Sequence, residues 1–392
     1  MLKYPLIQDT YFLDKMDKKE FKICDSVNSI PRDDWDRVFR DVPEGYAFYK
    51  TIEESRLEEF GFFYALLYEN GRLILIAPIF TADFNLDIAV EGRLKSAIAL
   101  IRKVFPSFLI IKTLFCGSPF GENGVIGLDV RIEDEPDVLD RLIAGLRGFA
   151  KSKKVRFTIF KDFPQEQTKR LGILEEKGFF RLNSFPSAVN ELNFSSFEDY
   201  VQSLGASTRK SLRRKIRSAY SQAKIEVRLM GEADSVMEDM YKLYLDTHQQ
   251  GGTKFERLTK EFFINAIRNM QPNIRVFLYY VNGRLGAFNL CFLYNDLFID
   301  KFIGFDYDIS SRHHLYFVSW CHNIEWCINN GVRFYKTGQT DYCAKLRLGS
   351  KLLPLHAYLR HDNRLVNILL KFLSLVLKPD NFDADIRGSQ DD

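Results

Sequence analysis

The chain has 392 residues, room for two or three domains. Thirty-five Phe and 18 Tyr exclude a disordered chain, because so many large apolar side chains need cores to bury them. Fifty-five basic against 52 acidic residues leave a net charge of +3, too balanced for a protein that grips nucleic acid over its whole surface.

The opening stretch MLKYPLIQDTYFLDK holds no long apolar run, so no signal peptide is expected and the expected location is the cytoplasm. The six Cys are scattered without a CxxC pair and read as free, buried thiols. Around residue 68 the chain reads YENGRLILIAPIF, and around residue 280 it reads YVNGRLGAFNLCF. Each Asn-Gly lies between apolar, aromatic-rich runs and predicts a hairpin with a type I′ turn, whose central residues need positive φ. After each hairpin comes a strand-like run, 107–116 and 297–305, then a helical segment near 134–152 and near 312–330. Val155-Arg156-Phe157 and Val332-Arg333-Phe334 then open a further strand in each half. The spacing differs between the halves, so the first carries extra residues. Hairpin, strand, helix, strand, twice over, predicts an α/β chain of mixed sheets with helices packed on them. The repeat is too long for a solenoid and implies duplicated domains.

The first copy is expected to close with a helix over 165–177, Gly178 as its C-cap, and two short strands. A boundary near 186–196 gives domains 1–194 and 195–378, with Ser195-Ser196-Phe197-Glu198 as a capping box opening the second. Ser207 to Tyr220 is expected as a helix with one apolar stripe at Leu212, Ile216 and Ala219/Tyr220. Arg209, Lys210, Arg213, Arg214, Lys215 and Arg217 place six positive charges within nine residues, and Arg209/Arg213, Lys210/Arg214 and Arg213/Arg217 repel at i,i+4 spacing. Such a run points either to an anionic partner such as phosphate or to a solvated face with acids supplied by neighbours. Further on, Ser310 or Ser311 is read as the N-cap of the apolar helix LYFVSWCHNIEWCI, whose N–H groups could take a phosphate with help from Arg312, or simply begin a capped helix. His313, His314, His322, Cys321 and Cys327 follow no known metal-ligand spacing and read as core residues. In 364–378, Asn367, Lys371, Ser374 and Lys378 mark one polar face, so this helix either packs on its domain or lies on a bilayer. The acidic tail 379–392 reads as disordered.

The assembled order resembles the GNAT acyltransferase superfamily, and within it the tandem branch of cellulose-biosynthesis-type acetyltransferases, peptidoglycan biosynthesis/recognition proteins and Fem-type aminoacyl transferases. Tyr200-Val201-x-Ser203-Leu204 with Arg209-Lys210-x-Leu212-Arg213-Arg214 resembles the opening of that branch's second domain. Gly304-Phe305-Asp306 resembles its fourth strand and donor turn, and Gly338-Gln339-Thr340 followed by Lys345-Leu346 and Gly349 resembles its late lysine segment.

The resemblance implies two tandem GNAT-like domains and an acyltransferase whose amine acceptor attacks a thioester or aminoacyl ester directly. It implies an acyl-CoA donor, or alternatively aminoacyl-tRNA, no metal, and as acceptor an amine such as one on an anionic cell-envelope precursor. Donor contacts are expected at Phe302, Ile303, Gly304 and Phe305, where a pantetheine arm would pair, and at Ser310, Ser311, Arg312 and His313 for the pyrophosphate. Asp300 is the expected base, Lys345 the charge on phosphate or oxyanion, and Tyr342 the leaving-group donor. Arg209, Arg213, Arg214, His248 and Gln339 are expected around the substrates. The donor loop lacks glycine, which obstructs backbone approach to a pyrophosphate and leaves room for a non-catalytic binding protein on the same scaffold.

Overall fold

Asn-Gly hairpins organise both halves of the computed structural model, which describes residues 19–40, 42–86, 92–231, 235–250, 257–339 and 341–376. The first half runs β1 (Lys19–Cys24), α1 (Arg32–Val38), α2 (Tyr46–Glu54), β2 (Gly61–Glu69), β3 (Arg72–Asn85), α3 (Gly92–Val104), β4 (Ile110–Cys116), β5 (Gly127–Leu128), α4 (Glu135–Ser152), β6 (Phe157–Pro164), α5 (Gly172–Glu176) and β7 (Phe180–Asn183). The second runs β8 (Ser187–Glu191), α6 (Phe197–Ser203), α7 (Ala206–Gln222), β9 (Ile225–Leu229), α8 (Met237–Gln250), α9 (Lys260–Asn269), β10 (Ile274–Val281), β11 (Arg284–Tyr294) and β12 (Leu297–Phe305). It continues through α10 (Tyr307–His313), α11 (Leu315–Asn329), β13 (Phe334–Thr337), α12 (Tyr342–Arg347) and β14 (Lys351–Leu353), before β15 (Leu355–His361) and α13 (Arg364–Val376).

Both turns carry positive φ at Asn70-Gly71 and Asn282-Gly283, as a type I′ turn requires. Both hairpins also slip register by one residue at the same place. Tyr68 faces Leu73 while Leu67 faces Leu75, and Tyr280 faces Leu285 while Tyr279 faces Ala287. The skipped residues are Ile74 and Gly286. At Gly286 a Cβ would lie 2.9 Å from Ile309 and Leu315 side-chain atoms, so only glycine lets the start of α11 close on that bulge.

The two sheets have one strand order. The first reads β1-β2-β3-β4-β6-β15-β7, with β5 on β3; the second reads β9-β10-β11-β12-β13-β8-β14. In each, one parallel pair (β4/β6, β12/β13) sits among antiparallel neighbours. In the first, α4 packs Leu139, Leu142 and Leu146 onto Leu67, Leu75 and Leu114. In the second, α6, α7 and α11 cover one face, while Phe262 and Phe263 of α9 meet Phe288 and Phe302 on the other.

The expected boundaries at 194/195 and 378 differ from this arrangement. The chain divides at 185/186 and again at 353/354, with 54–56 counted in the second unit. β8, expected in the first domain, pairs with β13 and β14 in the second sheet; β15, expected in the second, pairs with β6 and β7 in the first. Each sheet therefore takes its sixth strand from beyond the other copy's sequence. The helix expected over 165–177 is a 3-10 turn at 165–167 followed by α5, with Gly178 at positive φ after it. The tail 379–392 lies outside the described residues.

Candidate functional site

β12 and β13 run together only from Leu297/Phe334 to Asp300/Thr337. Beyond that pair β13 ends, while β12 continues to Phe305 along β11. A bulge marks the fork, since Cys291 faces Asp300 and Leu290 faces Phe302, so the register skips Lys301. In the first unit the equivalent strand β4 ends at Cys116, still paired with β6, and it is β6 that runs on, to Pro164 along β15.

The Asp300 side chain sits at the fork, half-buried on the α11 side of the sheet. Asn289 Nδ2 donates to both of its oxygens (2.7 and 2.9 Å), Tyr335 Oη donates at 2.9 Å and Asn323 Nδ2 at 3.3 Å. Tyr279 Oη donates to Asn323 Oδ1 at 3.1 Å. Asn289, Asn323, Tyr279 and Tyr335 are all fully buried. Burial pushes the Asp300 carboxyl above the ordinary carboxylate range; the hydrogen bonds from Asn289 and Tyr335, the Lys345 charge and the Cys291 thiol pull it back. The Lys345 ammonium is buried and donates to the carbonyls of Thr337 and Gly338, each at 3.1 Å, where β13 ends.

The first copy supplies an internal control. Aligned on the Asn-Gly turns and the Val-Arg-Phe triplets, Asp300 corresponds to Cys116, which pairs with Ile79 and Phe160 as Asp300 pairs with Cys291 and Thr337. In the same alignment Asn289 matches Ala77, Asn323 matches Leu146, Tyr279 matches Leu67, Tyr316 matches Leu139 and Thr337 matches Phe160. These counterparts belong to one apolar core cluster; Thr158, opposite Tyr335, alone keeps a hydroxyl. One copy thus fills the fork with hydrocarbon, and the other fills it with hydrogen-bonding groups around a carboxylate. Buried polar groups stabilise no better than well-packed apolar ones. Asn289 Oδ1 and Thr337 Oγ1 are moreover buried without a protein partner, as is the Tyr316 hydroxyl. This local departure from the fold's own apolar solution, with polar atoms left over, makes the fork the candidate site.

The donor loop differs from expectation. The N-cap of α10 is Asp306, whose carboxylate accepts from Ile309 N–H (3.1 Å) and pairs with Arg284. Ser310, Ser311, Arg312 and His313 lie within α10, and His314 in the left-handed region separates it from α11. Beside the start of α10 a cavity of about 400 Å³ is lined by Asp239, Asp246, Asp306 and Asp308 against Lys242 and Arg284, a poor place for an anion. The start of α11 is the opposite. His314, its N-cap residue, makes no side-chain cap. Burial, then the charges of Lys215, Arg214 and His313, disfavours its protonated form, and Lys215 is lowered by burial and then by Arg214 and Arg347. Arg214 and Lys215 of α7 therefore lie near this N-terminus, with Arg347 of α12 near Lys215, and an anion is favoured there.

The other expected residues divide. Arg209 donates to the carbonyls of Gln202 and Leu204 at the end of α6, and Arg213 pairs with Glu198, so both tie α7 to α6. Arg214 stays exposed; Lys215, not singled out as a site residue, lies over the Phe317 ring at 3.4 Å. Tyr342 is fully buried with its hydroxyl on the Pro186 carbonyl (2.9 Å), a packing role in place of a leaving-group donor. Gly304 is a packing glycine: a Cβ there would meet Phe288 at 2.3 Å and the Tyr244 backbone nitrogen at 2.8 Å. The Phe305 N–H is taken by Thr247 Oγ1 at 2.8 Å, which shortens the strand edge offered by Phe302 and Ile303. His248, one residue on, is half-buried with Nε2 unpartnered, and Gln339 follows β13 in a bend. Tyr200 bonds the Leu348 carbonyl and accepts from Trp320, so the Tyr-Val-x-Ser-Leu motif and the late lysine segment meet as architecture.

Two copies of one mixed sheet, each forking after a parallel pair, define a tandem GNAT fold. The FemAB-like model, described as peptidoglycan biosynthesis/recognition, matches residues 112–376, and the chain belongs to that family. No curated protein sequence matches it. Among solved structures, FemX superimposes with a TM-score of 0.54 at 11% identity, over 89% of this chain and 100% of that one. A tandem GNAT protein from the clavulanic acid biosynthesis pathway gives 0.54 at 10% identity, over 88% and 99%. The DUF2156 C-terminal domain of a protein described as a lysylphosphatidylglycerol synthetase, from Agrobacterium fabrum, gives 0.52 at 12% identity, over 91% and 98%. At these identities the likeness is one of fold.

Proposed function

We propose that the second unit transfers an acyl or aminoacyl group from an activated carrier onto an amine. The observation that carries this reading is the replacement, position by position, of the first copy's apolar fork by a hydrogen-bonded set converging on Asp300. In this reading the Asp300 carboxylate takes the proton that the amine sheds as it attacks the carbonyl; its raised affinity for protons suits a base. Lys345, held at the end of β13, supplies positive charge to the developing oxyanion. Arg214, Lys215 and Arg347, with the N–H groups opening α11, hold the carrier's phosphates.

The covered Phe305 amide weighs against a carrier gripped by a pantetheine arm, and the glycine-free loop against a pyrophosphate laid on the backbone there, while the cations of α7 suit a carrier with a phosphate backbone. That puts aminoacyl-tRNA ahead of acyl-CoA, with the amine of a peptidoglycan-precursor peptide as the acceptor to try first. The test is transfer of labelled acyl group from each donor class by purified protein, wild type against Asp300→Asn. Turnover is expected to fall by about 10²–10⁴-fold, the usual contribution of a positioned base. Absence of transfer from every donor by well-folded protein would sink the enzyme reading and leave a binding protein on this scaffold.

A further inference from the structure

The extra residues of the first copy lie between β3 and β4. Where β11 and β12 are joined through Asn295-Asp296 alone, residues 86–109 intervene in the first unit, closed at the base by a Leu86 N–H to Leu109 carbonyl bond (2.9 Å). That insertion carries α3. Among its described side chains Ile98 is buried, whereas Leu100 and Val104, and Phe105 just after the helix, are 65%, 71% and 66% exposed. At the other end of the chain, α13 sets Leu370 against the apolar layer that also receives Phe84, Leu86 and Ile111 from the tip of β3 and β4. It turns Leu365, Leu369 and Phe372 outward, at 77%, 58% and 66%. Seven of the fifteen exposed large apolar residues among those described fall on α3 and α13, and Phe105 and Phe108 follow directly after α3.

Scattered exposed apolar residues need no explanation, but a concentration on two amphipathic helices does. The helices' charge says what covers them. α3 holds four basic residues and α13 two, and neither contains an Asp or Glu, in a chain whose bases and acids nearly balance. A protein partner or a second copy would ordinarily be met by mixed charge. A surface of hydrocarbon rimmed by anions is met by apolar side chains rimmed by Lys and Arg.

We propose that α3 and α13 form a docking face for an anionic lipid bilayer, on which the first unit lies without spanning it. No helix among the described residues is long and apolar enough to cross a membrane. The duplication supports the assignment: the second copy, which carries the polar fork, lacks the insertion, and the first carries the insertion with an apolar fork.

Flotation of the full chain with vesicles tests this without any donor or acceptor, so its outcome is independent of the transfer reading. Binding is expected to vesicles containing phosphatidylglycerol, weaker to pure phosphatidylcholine, and reduced by salt. Leu100→Glu with Phe105→Glu, and separately Leu369→Glu with Phe372→Glu, should each lower partitioning about tenfold or more. Leu229→Glu, at an exposed apolar residue of the second unit, should leave it unchanged, and thermal unfolding should show all variants folded. The proposal is overturned if the full chain ignores anionic vesicles, if the paired variants float like the wild type, or if the face proves to join two copies, seen as a dimer mass that the variants abolish without any vesicle binding.

Discussion

Asp300 shows how one residue can work against the stability of the fold that holds it. Its carboxyl titrates above its ordinary value because burial disfavours the charge. The stability it contributes is present below the unfolded carboxyl's range and is lost as pH rises through the raised folded value. At neutral pH the ionised group is therefore a cost. Asp300→Asn should leave the melting temperature at pH 7 unchanged or higher even as turnover falls, a combination that scanning calorimetry beside an activity assay will read directly. Tyr335→Phe removes a hydrogen bond that favours the carboxylate. The acid limb of its pH–rate profile should move upward, with lower turnover on that limb and little change above it.

Elements explain which sequence signals were legible. The Asn-Gly turns and the Val-Arg-Phe starts were readable because local chemistry dictates them: αL backbone in one case, a strand opening after a helix cap in the other. The basic helix also formed where its apolar stripe implied, with Leu212 and Ala219 inward. The α10 start misled because Ser310 stands before an apolar run, while the better-placed Asp306 caps three residues ahead of Ile309. The polar fork did leave a trace. Asn289 interrupts GAFNLCF and Asn323 interrupts an almost wholly apolar helix, each at a core-facing phase, and a buried amide in such a run demands partners. Its partners come from β11, β12, β13 and α11, a convergence that no single run of sequence contains. Two element-level outcomes follow. Gly304→Ala should destabilise by about 1–3 kcal/mol in denaturant melts, because its Cβ would push α8 off β12. Arg214→Ala with Lys215→Ala should raise the donor's KM about tenfold, worth about 1.4 kcal/mol, and flatten its salt dependence.

At the scale of the molecule the exchange of β8 and β15 was not legible. Both are short, half-apolar strands whose pattern suits either sheet, and which sheet receives them depends on partners more than a hundred residues away. Ending the chain at Leu353 would keep every residue between β1 and β7 yet remove the strand that lies between β6 and β7. Such a truncation should lose the first unit's cooperative melting and expose surface that binds a hydrophobic dye. The second unit, retaining β8, should melt nearer its original temperature.

The same exchange dictates how the chain would bear a load. β7 and β15 are hydrogen-bonded neighbours, and almost the whole second unit is strung between them. Tension applied at β1 and beyond β15 would pass through the first sheet, where β6 and β7 both hold β15, and bypass the copy holding Asp300, which would feel no pull until β15 had been torn from its sheet.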